Sequence, residues 1–374
     1  MKILVTGAKG FIGKNLVCAL AARRPDDVVL QIDAENTPDE LARALGEADF
    51  VFHLAGVNRP LDEREFQAGN ADLTAQICDQ LLRLGRPVPL AISSSVQALL
   101  ENPYGVSKLK AEKAVEAYAR KSGAPAMIYR LKNVFGKWCR PNYNSVVATF
   151  CHNIARDLPV TASDPDREIE LIHIDDVVSC FLRNMENAAG RGIRYLEVEP
   201  VYKTGLGALA ELVRSFRGMR GTLHVPDFSG EFARKLYGTY LSYLAPDDFA
   251  YDLERKEDAR GGLAEFVKSP RFGQIFISRT HPGITRGNHY HDKKTEKFLV
   301  VEGNAVIRFR HVLGGDVMEY RVNGEDMRVV DIPPGYTHSI ENVGAGELVT
   351  LFWSAEVFDP SRPDTVPMPV IAGK

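Results

Sequence analysis

Cysteine, positive charge and long apolar runs are all scarce in this sequence, and each shortage closes off a class of protein. Among 374 residues there are five cysteines, at positions 18, 78, 139, 151 and 180, with no CxxC spacing. An odd, scattered set of thiols suits a reducing compartment rather than a disulfide framework, and none is assigned a catalytic role. A formal net charge of -3 leaves no basic excess to neutralise a phosphate backbone. No Lys/Arg stripe is interleaved with aromatics, so no nucleic-acid partner is expected. No uninterrupted apolar run approaches the length of a membrane span. The opening "MKILVTGAKG" enters a strand and a glycine turn without the segments of a secretory leader. These absences predict a cytoplasmic, soluble chain with no membrane partner.

What is present has two textures. From residue 1 to roughly 240, short apolar runs ("KILVT", "DDVVLQID", "DFVFHLAG", "VPLAISS", "PAMIYRL") alternate with helical patterns, which implies crossover connections and a doubly wound parallel sheet of the Rossmann type. From about 260, strand-like runs such as "EKFLVVEG" and "NAVIRFRHV" follow one another without a helical period, the pattern of a small all-β sandwich or jelly roll. The expected fold is therefore α/β followed by all-β. The two domains should span 1–245 and 246–374, divided within "SYLAPDDFAYDL".

Two stretches of the first domain carry chemistry. "ILVTGAKGFIGKNL" sets Gly7, Gly10 and Gly13 between a strand and a helix. There a glycine can turn the chain, let backbone approach a pyrophosphate, and let helix pack on strand. Asp33 ends the second strand, where a carboxylate accepts from a ribose 2'-hydroxyl and repels a 2'-phosphate; Lys9, inside the glycine loop, argues for the phosphate or is a solvated loop lysine. "NPYGVSKLKAEKAVEAYARKSG" begins near Pro103 and ends near Gly123 like a capped helix. Tyr104 and Lys108 share one of its faces, and an ammonium there favours the phenolate, making the tyrosine a proton donor or acceptor. The spacing is cheap, since Tyr290 and Lys294 repeat it. Position, just after "ISSS", is what lifts Tyr104.

These motifs resemble the extended short-chain dehydrogenase/reductase family: "TGAKGFIG", "HLAG" (53–56), "SSS" (93–95), "YGVSK", "RLKNVFG" (130–136) and "HIDDVV" (173–178). The resemblance implies Ser95, Tyr104 and Lys108 as catalytic residues, with Ser94 competing for the serine role until strand register is known. It implies a nicotinamide site at Gly7, Lys9, Gly10, Phe11, Ile12, Gly13, Asp33, Leu54, Ala55 and Gly56, together with Tyr104 and Lys108. The loop from Ser95 to Tyr104 is shorter than is usual in the family. Val96 and Gln97 stand where its sugar-nucleotide dehydratases carry acids, so carbonyl reduction is favoured over loss of water. Arg130, Asn133, Lys137, Asn142 and Asn144 are candidate substrate contacts, cations suiting a diphosphate and amides suiting sugar groups. Each also reads as a turn or capping residue.

In the second domain, Gly283, His289, His291, Glu296 and Gly303, then Pro333, Gly335, His338 and Asn342, match the two motifs of the cupin superfamily, except that its usual glycine would fall at Met327. Histidines two apart on a strand face one way. Glu296 and His338 complete a nitrogen and oxygen set that suits zinc or another divalent transition metal. His152, His173, His281 and His311 have no such frame and read as structural or exposed. Tyr290, Lys297 and Tyr336 lie near the ligands and could titrate.

Taken together, the chain resembles the capsule-biosynthesis enzymes that join a reductase and a cupin epimerase in one polypeptide, through "KWCRPNYNSVVATFCHNIARD" (137–157), "LYGTYLSYL" (236–244) and "GITRGNHYH". That resemblance implies a UDP-sugar 4-ketone as substrate, C3 epimerisation followed by C4 reduction, NADPH with NADH as the alternative, zinc, and a homodimer.

Overall fold

Alternate residues of the first strand, β1 (Lys2–Thr6), enter two separate cores: Ile3 and Val5 one, Leu4 the other. A strand buried on both faces must be apolar along its length and covered by helices on each side, and the chain supplies them in turn. α1 (Phe11–Arg23), β2 (Val28–Ile32), α2 (Pro38–Glu47) and β3 (Phe50–His53) follow. Next come α3 (Arg64–Phe66), a π-helical turn at Gln67–Asp72, α4 (Leu73–Arg83), β4 (Leu90–Ser95) and α5 (Pro103–Ser122). β5 (Ala126–Leu131), β6 (Asn133–Phe135), α6 (Val146–Ile154), β7 (Glu168–His173), α7 (Ile174–Glu186), β8 (Ile193–Leu196), β9 (Tyr202–Gly205), α8 (Leu206–Thr222) and α9 (Glu231–Leu241) complete the helical part.

The main sheet is parallel throughout, in the order β2-β1-β3-β4-β5-β8. The direction of winding reverses at β1 and β3, so their carboxyl ends open a crevice of the kind in which doubly wound sheets bind ligands. The glycine loop after β1, "LAG" after β3 and the serines ending β4 all lie at that edge. Helix α5 has the expected ends: Asn102 caps it by accepting from the Gly105 N–H at 2.8 Å, Pro103 is its first residue, and Gly123 closes it at φ +71°.

This computed structural model describes residues 1–188, 190, 192–291 and 293–371. The chain divides into two units, Met1–Arg214 with Glu231–Ala245 and Ser215–Gly230 with Pro246–Lys374. Segment 215–230 joins the second through Arg217 and Arg220, which hold Asp248, and through backbone bonds of Leu223 and Val225 with Lys268. Among the described residues no helix is long and apolar enough to cross a membrane.

The second unit is built from β10 (Arg255–Asp258), β11 (Gly261–Ser269), β12 (Gly273–Thr280), β13 (Thr285–Tyr290), β14 (Glu296–Glu302), β15 (Asn304–His311), β16 (Met318–Asn323), β17 (Val329–Ile332), β18 (Tyr336–Asn342), β19 (Leu348–Ser354) and β20 (Val366–Pro367). They form two antiparallel sheets, β10-β11-β12-β19-β14-β17 and β16-β15-β18-β13-β20. Phe298, Val300 and Phe352 of one meet Ile307, Phe309 and Ile340 of the other. Glu296, Phe298 and Val300 are the buried alternate positions of β14, so a carboxylate occupies an inward place that the period of two would otherwise give to a hydrophobe.

Candidate active site and metal centre

The crevice of the first unit is a cavity of about 1170 Å3, more than one drug-sized ligand needs. Gly7, Lys9, Gly10, Phe11, Ile12, Gly13, Leu54, Gly56, Ser95, Tyr104 and Lys108 lie in its wall. Its glycines are there for space. Gly7 sits at φ +67° with a Cβ position 2.7 Å from the Ala55 nitrogen, and a Cβ on Gly13 would lie 2.1 Å from the Gly7 carbonyl oxygen. A Cβ at Gly56 would meet Asn70 at 2.7 Å and Lys108 Nζ at 3.1 Å. This cradle fits a dinucleotide. Ala55 and Asp33 lie behind the wall, Asp33 accepting from the Lys9 N–H at 2.7 Å while the Lys9 ammonium pairs with Glu35.

Strand register separates the partners of the two serines, both of which border the cavity. Ser94 pairs with Arg130 across β4 and β5, and both side chains go to the buried Glu112: the Ser94 hydroxyl donates at 2.5 Å and the Arg130 guanidinium at 2.7 and 3.0 Å. Ser95, the next residue of the strand, points to the other face; its Oγ accepts from the Gln97 N–H at 3.2 Å, and it lies with Tyr104 in the cavity wall. Burial raises the Tyr104 pKa, keeping the phenol protonated. Lys108 donates to the Ser93 carbonyl at 3.1 Å, its Nζ 5.9 Å from the Tyr104 ring centroid. Burial, partly offset by Glu112, lowers its pKa to about 8.

Of the candidate substrate contacts, Asn133 and Asn144 line the cavity. Arg130 pairs with Glu112 and stacks on Tyr195, 4.6 Å from the ring centroid. Lys137 pairs with Asp175 at 3.2 Å, and the Asn142 backbone, at φ +54°, donates to Thr149. Arg140, Tyr143 and His152 also line the cavity. Sequence reasoning also passed over Asn70, whose amide donates to Ser107 at 3.0 Å and to the Val57 carbonyl at 3.0 Å and whose oxygen accepts from the Val57 N–H. It sits in the π-helical turn, a local distortion often found at functional sites.

In the second unit, one ligand-type atom from each of His289, His291, Glu296 and His338 lies within 4.8 Å of the others. His289 and His338 are direct cross-strand partners of β13 and β18. His291 lies just beyond β13 and reaches the cluster after a bulge at Asn288, φ +58°. Its Nδ1 is hydrogen-bonded to the Asp364 carbonyl, which fixes the tautomer and leaves Nε2 as a lone pair 3.3 Å from Glu296 Oε2. Nε2 of His291 and Nε2 of His338 are buried without a hydrogen-bond partner, a cost that a cation between them would remove. Burial pushes His338 down to about 3, so it is neutral and able to donate its lone pair. Burial alone would raise the Glu296 carboxyl, but its charged surroundings, with the Lys294 ammonium 3.1 Å away, outweigh it and hold it at about 2. Neutral imidazoles and one carboxylate fit a divalent transition metal. The Lys294 ammonium stands 3.1 Å from Glu296, whereas Lys297 pairs with exposed Asp331 and Tyr336 packs edge-on to His311.

Comparison with known proteins places this architecture. Residues 3–195 match the NAD dependent epimerase/dehydratase family and residues 256–366 the polysaccharide biosynthesis C-terminal domain. The chain belongs to the NAD-dependent epimerase/dehydratase family. Over 98% of both chains it is 46% identical to the UDP-2-acetamido-2,6-beta-L-arabino-hexul-4-ose reductase of Pseudomonas aeruginosa. Among solved structures it is similar to the capsular polysaccharide assembling protein CapF from Staphylococcus aureus, with a TM-score of 0.92 and 44% identity over 99% of this chain and 100% of that one. A further structure, of CapF with the inhibitor 3-isopropenyl-tropolone, matches at TM-score 0.88 and 40% identity over 99% of this chain and 100% of that one. Family membership supports a nicotinamide cofactor for this chain.

Proposed function

We propose that the chain is a bifunctional nucleotide-sugar enzyme. Residues 1–245 form the NADPH-dependent 4-ketone reductase, and residues 246–374 a zinc-binding cupin that first epimerises C3. The substrate assigned is UDP-2-acetamido-2,6-dideoxy-L-arabino-4-hexulose and the product UDP-2-acetamido-2,6-dideoxy-L-talose, on the route to UDP-N-acetyl-L-fucosamine for capsular or O-antigen polysaccharide. The reductase part follows from family and from a relative named for reducing such a hexulose. The epimerase part is carried by one observation: four ligand atoms converge within 4.8 Å, two of them buried and unpartnered. Tropolones chelate divalent metals through adjacent oxygens, so the inhibitor bound by CapF favours the same reading. A cytoplasmic homodimer is part of the proposal, and sedimentation at a mass of two chains is the expected result.

When bound, NADPH supplies the hydride for C4 and the metal withdraws electrons from the 4-ketone, which makes the C3 hydrogen acidic. Tyr104 donates the proton that the C4 oxygen needs as the ketone becomes an alcohol. Ser95, in the same cavity wall, orients the ketone oxygen. Lys108 stabilises the phenolate left behind. In the second domain the Asp364 carbonyl aims His291, and Lys294 holds Glu296.

The test is to incubate the protein with the UDP-4-keto sugar in deuterated water without NADPH and follow C3 by NMR. Metal-dependent deuterium incorporation is expected; its absence rejects the epimerase. Cofactor choice is tested at Lys9. Its exposed pair with Glu35 is screened by solvent, so the ammonium is readily diverted to a 2'-phosphate while Asp33 stays on the loop backbone. Lys9→Ala is expected to lower kcat/KM for NADPH at least about tenfold with little change for NADH, a charge-assisted contact contributing about 1.5–3 kcal/mol. A clear NADH preference in the unaltered protein overturns the assignment.

A further inference from the structure

The segment 364–370 is bound along β13, which carries His289 and ends one residue before His291, through main chain and side chain together. The Asp364 carbonyl accepts from His291. Its carboxylate accepts from the N–H groups of Lys293 at 2.9 Å and Lys294 at 2.7 Å. Val366 and Pro367 then run antiparallel to Tyr290 and His289. Beyond them the Met368 N–H donates to the Asn288 carbonyl at 2.8 Å and the Val370 N–H to the Asn288 side chain at 3.2 Å. Thr337, next to His338, donates its hydroxyl to the Met368 carbonyl. The stretch it holds needs holding, because the ladder shifts register between Gly287 and His289 and Asn288 adopts a left-handed φ of +58°. A bulged strand end does not by itself fix where His291 points.

We infer that this segment is a strap that positions the metal site, with Asp364 as its principal positioning residue. Resting on the metal-binding reading above, the inference goes further by assigning ligand geometry to a segment outside both ligand motifs. Asp364 acts twice: its carbonyl sets the tautomer and direction of His291, and its carboxylate clamps the turn leading to Lys294 and Glu296. Partners of this kind behind a ligand typically change metal affinity by about 10–100-fold.

The experiment uses the full chain loaded with cobalt(II), whose visible spectrum reports ligand geometry, and follows release of the ion to a chelator. Asp364→Ala keeps the carbonyl and removes the carboxylate clamp that sets its position, so it is expected to release cobalt about tenfold faster with an altered spectrum, while the melting temperature of the metal-free protein stays near that of the unaltered chain. Asp364→Asn keeps one acceptor oxygen without the charge, so release a few-fold faster is expected. This variant carries the test if the alanine variant does not fold. Unchanged release and spectrum in either variant overturn the strap while leaving the metal reading intact. Failure of the unaltered chain to take up cobalt or zinc overturns the metal reading itself, and the strap with it.

Discussion

Tyr104→Phe is expected to lower kcat/KM for ketone reduction by about 10²–10⁴-fold with the affinity for the nicotinamide cofactor little changed. On the proposed mechanism the phenol gives the C4 oxygen its proton. Burial keeps it protonated, and Lys108 stands beside its ring. Phenylalanine fills the same volume and loses only the hydroxyl, so a large fall in rate with intact cofactor binding separates chemistry from folding. Activity within a few-fold of the unaltered protein would instead favour a cofactor-binding regulator. The pH profile supplies a second readout. Burial lowers the Lys108 pKa to about 8, so the side chain is cationic below that pH and neutral above it. Reduction needs the cation beside the forming phenolate, so kcat/KM is expected to be flat below about pH 8 and to fall as pH rises through it.

Both folds were legible because each rests on a local period. Doubly buried strands separated by helices announce a parallel sheet, and short alternating runs an antiparallel one. The glycine loop was legible for the same kind of reason: only glycine fits where a Cβ at position 13 would strike the Gly7 carbonyl. The structure brings His289, His291, Glu296 and His338 together as their motifs predict. Strand register was not legible, which is why Ser94 and Ser95 stood as alternatives. Ser94 and Arg130 are cross-strand partners that both bind Glu112, a pairing their residue types do not announce. Contacts made through backbone were hidden altogether, since the Asp364 carbonyl could belong to any residue type. Lys294 was noticed only as a chance echo of the Tyr/Lys spacing, yet the structure puts its ammonium against Glu296. The cupin glycine missing at Met327 left a physical trace: Met327 adopts φ +48°, the left-handed conformation that a glycine would take without strain.

His338→Ala should abolish C3 exchange while the reductase still turns over. His338 is fully buried and neutral, and it pairs directly across the strands with His289. Its removal takes one donor from the set and leaves a cavity beside Phe298, whose ring centroid lies 5.7 Å from the imidazole. A Lewis acid contributes several kcal/mol to forming the anion at C3, so deuterium incorporation is expected to fall by about 10³-fold or more. The residues proposed for ketone reduction, Ser95, Tyr104 and Lys108, are all in the first unit. A supplied 4-keto sugar should therefore still be reduced, but with the C3 configuration it entered with. That pairing of outcomes distinguishes the bifunctional enzyme from its main rival, a reductase whose second domain serves only in assembly or sensing. In the rival case His338→Ala leaves product stereochemistry as it was. A variant that loses both activities reports misfolding of the β-sandwich, and melting of the metal-free protein separates that case from loss of the ligand set.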